Sequence, residues 1–269
     1  MPFAENEGVK IFWEETGQGD PILLVMGLGW TSHLWHRTRD LLASKCRVIT
    51  FDNRGVGRSE VPAGPYAIAT MAADAASVLD AAGVQSAHLY GISMGGMIAQ
   101  EFTLQYPARV KSLILGCTAA GGPAALQPAP EVLQVLMRRG MKPEEAIEAI
   151  DPFIYDAGTS PELLAEDRKL RIEWYPTANG YISQLQGILA WEAYSRLPQI
   201  AVPTLVIHGA SDQLVPPGNG KLVADRIPNA KLLIIPQASH IFPTDQPKIA
   251  DQAVLAFLST HSSPADIIA

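Results

Sequence analysis

The sequence predicts an α/β fold, a mostly parallel sheet covered by helices on both faces, from three observations. Short apolar runs alternate with longer helix-periodic stretches over roughly the first 120 residues. The same alternation resumes near residue 200, after a stretch without strand character. A Gly-x-Ser-x-Gly pentapeptide, Gly91-Ile92-Ser93-Met94-Gly95, falls where one apolar run gives way to a helical pattern. With 269 residues, 48% of them hydrophobic and 17% charged, the chain can bury one substantial core, or a core plus a small inserted unit, and disorder is excluded.

Taken in order, residues 9–15 alternate like an edge strand and lead through the Gly17-Gln18-Gly19-Asp20 turn, which suits an antiparallel start to a mixed sheet. Residues 22–26, 47–51, 87–90 and 111–115 are continuous apolar runs of the kind that fill a buried parallel sheet. An Ala-rich helix over 71–82 and a helix over 95–102, which stops before Pro107, lie between them. From 121 to 198 the strands give way to helical segments at 130–139, 143–150 and 161–171. Gly121-Gly122-Pro123 opens this stretch, and Leu197-Pro198 through Pro203 closes it, as punctuation where a chain leaves and rejoins a core. The expected organisation is therefore a core in two parts, 1–120 and 199–269, with a helical cap at 121–198. Strands at 204–208 and 232–235 and a final helix over 245–258 complete the second part.

Charge and composition exclude several classes of partner. The formal net charge is −7 and no run of Lys or Arg is present, so nothing marks a nucleic-acid or anionic-membrane surface. Acids at Glu5 and Glu7 stand where a secretory signal would carry basic residues, and the longest apolar stretches are short and broken by glycine, so a cytoplasmic location is expected. Cys46 and Cys117 each adjoin a buried strand and read as core hydrophobes rather than a disulfide. His33 and His36 lack other donors at ligand spacing, so no metal is expected.

A serine hydroxyl becomes a nucleophile only when a base takes its proton, so Ser93 on a strand-turn-helix must stand clear of its neighbours and face another side chain. Gly91 and Gly95, without Cβ atoms, let the strand and helix approach closely enough for that turn. The competing reading is a tight turn whose serine only caps the helix. Asp212 and His240 follow the two late strands, at the ends where ligands of open α/β sheets bind. In that arrangement His240 is the base for Ser93, and Asp212 orients and stabilises its imidazole. Asp245 competes with Asp212 by proximity to His240 but reads as the cap of the last helix. Asp212 itself has a structural alternative, closure of the 209–212 turn. His33 and His36 read as surface or capping residues, His88 and His208 as core residues and His261 as part of a polar tail, while Asp52 and Arg54 are expected to pin the loop after their strand.

These residues resemble the α/β-hydrolase family over nearly the whole chain outside the helical insertion. Val25-Met26-Gly27-Leu28-Gly29-Trp30 is similar to the family's oxyanion loop, and Phe51-Asp52-Asn53-Arg54-Gly55-Val56-Gly57-Arg58-Ser59 to its glycine-rich loop. Gly209-Ala210-Ser211-Asp212 and Ser239-His240 are similar to its acid and base turns. The resemblance implies an α/β-hydrolase fold with a helical cap after the sixth strand. It also implies a Ser93, Asp212, His240 triad, and an oxyanion hole from the main-chain N–H groups of Met94 and Leu28, with Gly29 the alternative to Leu28. Among capped esterases and lactonases, enol-lactonase-like proteins are similar. That implies hydrolysis of a small to medium apolar ester or lactone, with no cofactor. Carbon–carbon bond hydrolysis, amide hydrolysis and cofactor-free perhydrolysis use the same triad, and a ligand-binding protein on a hydrolase scaffold is the alternative of another class. Met26 stands where many members carry His. Trp174, Tyr175, Tyr181, Trp191 and Tyr194 of the cap supply aromatics, of which one or two are expected at the substrate and the rest in packing. The oligomeric state is not legible.

Overall fold

Strands β3 (Asp20–Val25), β4 (Cys46–Phe51), β5 (Ala87–Ile92), β6 (Val110–Gly116) and β7 (Thr204–Gly209) are buried almost residue for residue. Such burial requires strands on both sides and helices on both faces. A computed structural model, which describes residues 2–137 and 140–261, supplies both. Eight strands form one sheet in the order β1-β2-β4-β3-β5-β6-β7-β8, with β1 (Phe3–Asn6) and β2 (Val9–Thr16) antiparallel at one edge and β8 (Lys231–Ile235) at the other. From β4 to β8 every pairing is parallel.

The period of two sorts the strand side chains between two cores. Leu23, Val25, Leu89 and Leu115 face α2 (Ile68–Ala81) and α3 (Met94–Gln105), while Ile22, Leu24, Ile114 and Ile207 face α1 (His36–Leu42) and α10 (Pro247–Ser259). Between β6 and β7 the described residues form four α-helices, α4 (Pro130–Met137), α5 (Pro143–Ile154), α6 (Pro161–Glu173) and α7 (Ala178–Ala190). Prolines in the first turns of α5 and α6, where an N–H is unpaired in any case, mark their starts. The stretch begins and ends side by side, because Gly121 bridges Glu192 and the Ala193 N–H donates to Ala120 O at 2.8 Å. Helix α8 (Gly218–Arg226) then follows β7, and the single turn α9 (Phe242–Asp245) precedes α10.

Three differences from the sequence expectation have physical causes. The four-residue β1 hairpins onto β2 through Glu7 and Gly8, both at positive φ, and is too short to show a period. Helix α7 contains Gly180 and Gly187, which lower helix propensity. It needs both, since a Cβ at Gly180 would collide with the Gly55 backbone and one at Gly187 with the Tyr66 carbonyl. The final helix begins at Pro247, so Asp245 lies in α9 and does not cap α10. The helix expected over 130–139 runs to Met137, and residues 138 and 139 lie outside the described residues. Among the described residues no helix is long and apolar enough to cross a membrane.

Candidate active site

The turn from β5 to α3 holds Ser93 at φ 58°, ψ −124°, a backbone conformation that non-glycine residues avoid. It is fixed from both sides: the Ser93 N–H donates to Gly116 O at 2.9 Å and its carbonyl accepts from Thr118 Oγ1 at 2.7 Å. The flanking glycines are required by contact. A Cβ at Gly91 would strike the Gly95 backbone, and one at Gly95 would strike the carbonyl of Val25.

Two further turns at the same end of the sheet bring Asp212 and His240 together, with His240 Nδ1 donating to Asp212 Oδ2 at 2.8 Å. Asp212 Oδ1 accepts from the N–H groups of Leu214 and Val215 at 2.9 and 2.8 Å. Burial alone would raise the Asp212 pKa, but the charge of His240 and hydrogen bonds from His208 and His240 outweigh it and hold the carboxyl well below its ordinary range. His208 is buried in β7 as expected, yet it also touches the site, its Nε2 lying 3.2 Å from Asp212 Oδ2 and 2.7 Å from Val215 O. Asp245 sits elsewhere: its carboxylate accepts from the Ser239 N–H at 2.6 Å, Thr159 Oγ1 at 2.5 Å and the Asp156 N–H at 3.3 Å. Burial pushes its pKa up to about 6.

The loop after β3 passes beside the serine, close enough that a Cβ at Gly27 would lie 3.1 Å from Ser93 Cβ. The Gly29 N–H is committed to Gln184 Oε1 at 2.8 Å, whereas those of Leu28 and Met94 have no hydrogen-bond partner among the described residues. Gln184, on α7, also donates to Arg54 O at 2.9 Å, and Asn53 Nδ2 donates to Met26 O at 2.9 Å. These two amides anchor the loop that carries Met26; sequence reasoning singled out neither, since their partners lie 155 and 27 residues away. Asp52 and Arg54 pin the loop after β4 as expected, Asp52 by accepting from Ser32 and Arg58 and Arg54 by pairing with Asp74 of α2 at 2.6 Å.

Ser93 and His240 both line a cavity of about 650 Å³ whose walls are mainly apolar, from Met97, Ile147, Ile182 and Leu185 among others. Of the insertion's aromatics, Tyr175 and Tyr181 line it. Trp174 stacks on His33 at 4.3 Å, Trp191 donates to Glu101 at 2.8 Å and Tyr194 carries the Arg226 guanidinium. His33 and His36 are half-buried and outside the cavity lining, and His88 is a core residue bound to Asp20 and Ser112.

Cys117, Asp212 and His240 bring donor atoms within 4.8 Å of one another, a trio that could hold a metal ion and that no sequence spacing revealed. The donors do not fit that use. A metal needs a thiolate, but burial, with the Asp212 charge adding to it, pushes the Cys117 thiol well above its ordinary range, and Asp212 and His240 are committed to each other. Both cysteines are free and buried.

The sequence profile of the alpha/beta hydrolase fold matches residues 20–247. The chain is 36% identical over 251 residues to a poly(3-hydroxyalkanoate) depolymerase of Ectopseudomonas oleovorans, covering 91% of this chain and 86% of that one. It is 30% identical over 260 residues to 3-oxoadipate enol-lactonase 2 of Acinetobacter baylyi, covering 94% of each. Among solved structures, a thermophilic esterase from Thermogutta terrifontis superposes with a TM-score of 0.84 at 29% identity, over 98% of both chains. With its profile match, its sheet order and its strained serine between strand and helix, the chain belongs to the alpha/beta hydrolase fold family.

Proposed function

We propose that the chain hydrolyses a carboxylic ester or lactone of a small to medium apolar compound through an acyl-enzyme on Ser93. The observation that carries this reading is a strained serine and an Asp212-oriented histidine lining the same cavity. His240 spends Nδ1–H on Asp212, which leaves Nε2 as the proton acceptor. Ser93 Oγ attacks the acyl carbon while His240 takes its proton, and the N–H groups of Leu28 and Met94 receive the developing oxyanion. Collapse breaks the acyl–oxygen bond, and the imidazolium returns the proton to the leaving alkoxide. Water then attacks the acyl-enzyme with His240 again as base, releasing the acid and restoring Ser93. Residues 121–198 act as a cap whose helices roof the cavity. The names of the depolymerase, enol-lactonase and esterase relatives support ester or lactone chemistry.

The test is hydrolysis of p-nitrophenyl esters and a lactone panel by wild-type protein and Ser93→Ala, with a serine-reactive phosphonate followed by intact mass. Turnover and a single adduct, both lost in Ser93→Ala, are expected. An adduct without turnover redirects the reading to carbon–carbon hydrolysis or perhydrolysis on the same triad. Neither adduct nor turnover from folded protein overturns it in favour of ligand binding.

A further inference from the structure

Arg171, on α6, is the only Lys, Arg, Asp or Glu among the described residues that line the cavity, and it is 5% exposed. A guanidinium is rarely placed against an apolar cavity without partners for its charge and its donors. Part of the account is Asp151, whose Oδ1 accepts from Arg171 Nη1 at 2.5 Å. That carboxylate is shared, since its other oxygen accepts from Arg168 Nε at 2.6 Å. Asp151 is therefore not a partner reserved for Arg171.

The donors are also incompletely used. Among the described residues Arg171 Nε is buried without a hydrogen-bond partner, and of their buried side-chain polar atoms in that condition it alone belongs to a residue that lines the cavity. Aromatic rings hold the guanidinium without satisfying it: its Cζ lies 5.0 Å from the centre of the Trp30 ring and 5.9 Å from that of Tyr155. The Tyr155 hydroxyl donates to Asp167 at 3.1 Å and is not available to a ligand as a donor. Trp30 ends the loop that carries Leu28, and Ile241, packed in the same cluster as Trp30 and Tyr155, directly follows His240. Arg171 therefore belongs to the part of the cavity that adjoins the reacting groups.

Resting on the function proposed above, we infer that Arg171 is an anion subsite and that the preferred substrates carry a free carboxylate in addition to the scissile ester or lactone. A carboxylate supplies the acceptor that the planar fork of donors lacks, together with a negative charge facing the guanidinium. A hydroxyl or neutral carbonyl would supply only the first. If Arg171 served only as the structural partner of Asp151, its replacement would change stability and would act on charged and neutral substrates alike.

The experiment compares monoethyl pimelate and monoethyl suberate with ethyl heptanoate and ethyl octanoate, in which a methyl group replaces the carboxylate, and with the neutral diethyl diesters. Wild-type protein should show kcat/KM at least tenfold higher for the half-esters than for either neutral series. In Arg171→Met combined with Asp151→Asn, which removes both buried charges of the pair, that ratio should fall to near one, and in Arg171→Lys it should be intermediate. Pimelate binding to Ser93→Ala, followed by calorimetry, should weaken at least tenfold when Arg171→Met and Asp151→Asn are added; thermal melts confirm that each variant is folded. A wild-type ratio near one, or a ratio and a pimelate affinity that survive the Arg171 replacement, overturns the subsite. Absence of any ethyl ester turnover instead counts against the hydrolase reading, and the calorimetry then decides the subsite separately.

Discussion

In the proposed reaction Ser93, Asp212 and His240 each depend on a neighbour that prepares the residue for its step. The φ of 58° at Ser93 costs about 1–3 kcal/mol and is held by hydrogen bonds from Thr118 and to Gly116. Asp212 is useful because it stays ionised while buried, its two oxygens meeting two backbone N–H groups and two histidines. Asp212→Asn keeps the shape but presents a side chain that can favour the wrong imidazole tautomer. Turnover of a p-nitrophenyl ester should fall by roughly 10³ to 10⁴-fold, with a thermal melt confirming the fold. Turnover within tenfold of wild type would end the assignment of Asp212 as the acid. The role of His208 was hidden at this scale, because a histidine in an apolar strand has the same sequence signature whether or not its ring meets a carboxylate one turn later.

Between elements, two side chains join the insertion to the loops assigned to the proposed reaction. Gln184 on α7 joins the oxyanion loop to the glycine-rich loop by accepting from the Gly29 N–H and donating to Arg54 O. Gln184→Leu leaves both backbone groups buried and unpaired, a cost of about 1–3 kcal/mol for such a group. The urea midpoint should drop accordingly, and kcat should fall about tenfold as the Leu28 N–H loses its fixed position; an unchanged kcat would separate the loop from oxyanion binding. Asp245 joins the His240 turn to the segment after α5 through Ser239, Thr159 and Asp156. Its folded pKa of about 6 lies above the ordinary 3.8, so the native state holds a proton that the unfolded chain has released between those values. Its contribution to stability therefore declines as pH rises from about 4 to 6 and then levels off. Relative to Asp245→Asn, which does not titrate, wild-type protein should lose about 2–3 kcal/mol of unfolding free energy between pH 4 and pH 7. Parallel pH dependences in urea unfolding would contradict the shift.

Across the whole molecule, what was legible in the sequence was what repeats or is contiguous. Buried strands are continuous apolar runs, and the Gly-x-Ser-x-Gly turn lies within five residues, so the core sheet and Ser93 could both be read. What was hidden depends on approach between distant segments: the glycines of α7 exist to meet Gly55 and Tyr66, and the loop anchors Gln184 and Asn53 have no local pattern. The cavity is another product of such approach, with Ile92 and Met97 of the core on one side and Ile147, Ile182 and Leu185 of the insertion on the other. Its apolar walls make a prediction about chain length. Each methylene that the acyl group buries there is worth about 0.8 kcal/mol, a factor of roughly four in kcat/KM if the contact is kept in the transition state. Activity on p-nitrophenyl esters should therefore climb from acetate through butanoate to hexanoate and flatten when the chain no longer finds wall to cover. Leu185→Trp places a larger side chain in that volume without altering Ser93, Asp212 or His240. It should lower the ratio of hexanoate to acetate kcat/KM by about tenfold or more. A ratio unchanged in Leu185→Trp, or a wild-type rate indifferent to chain length, would mean that acyl groups do not occupy the space between insertion and core.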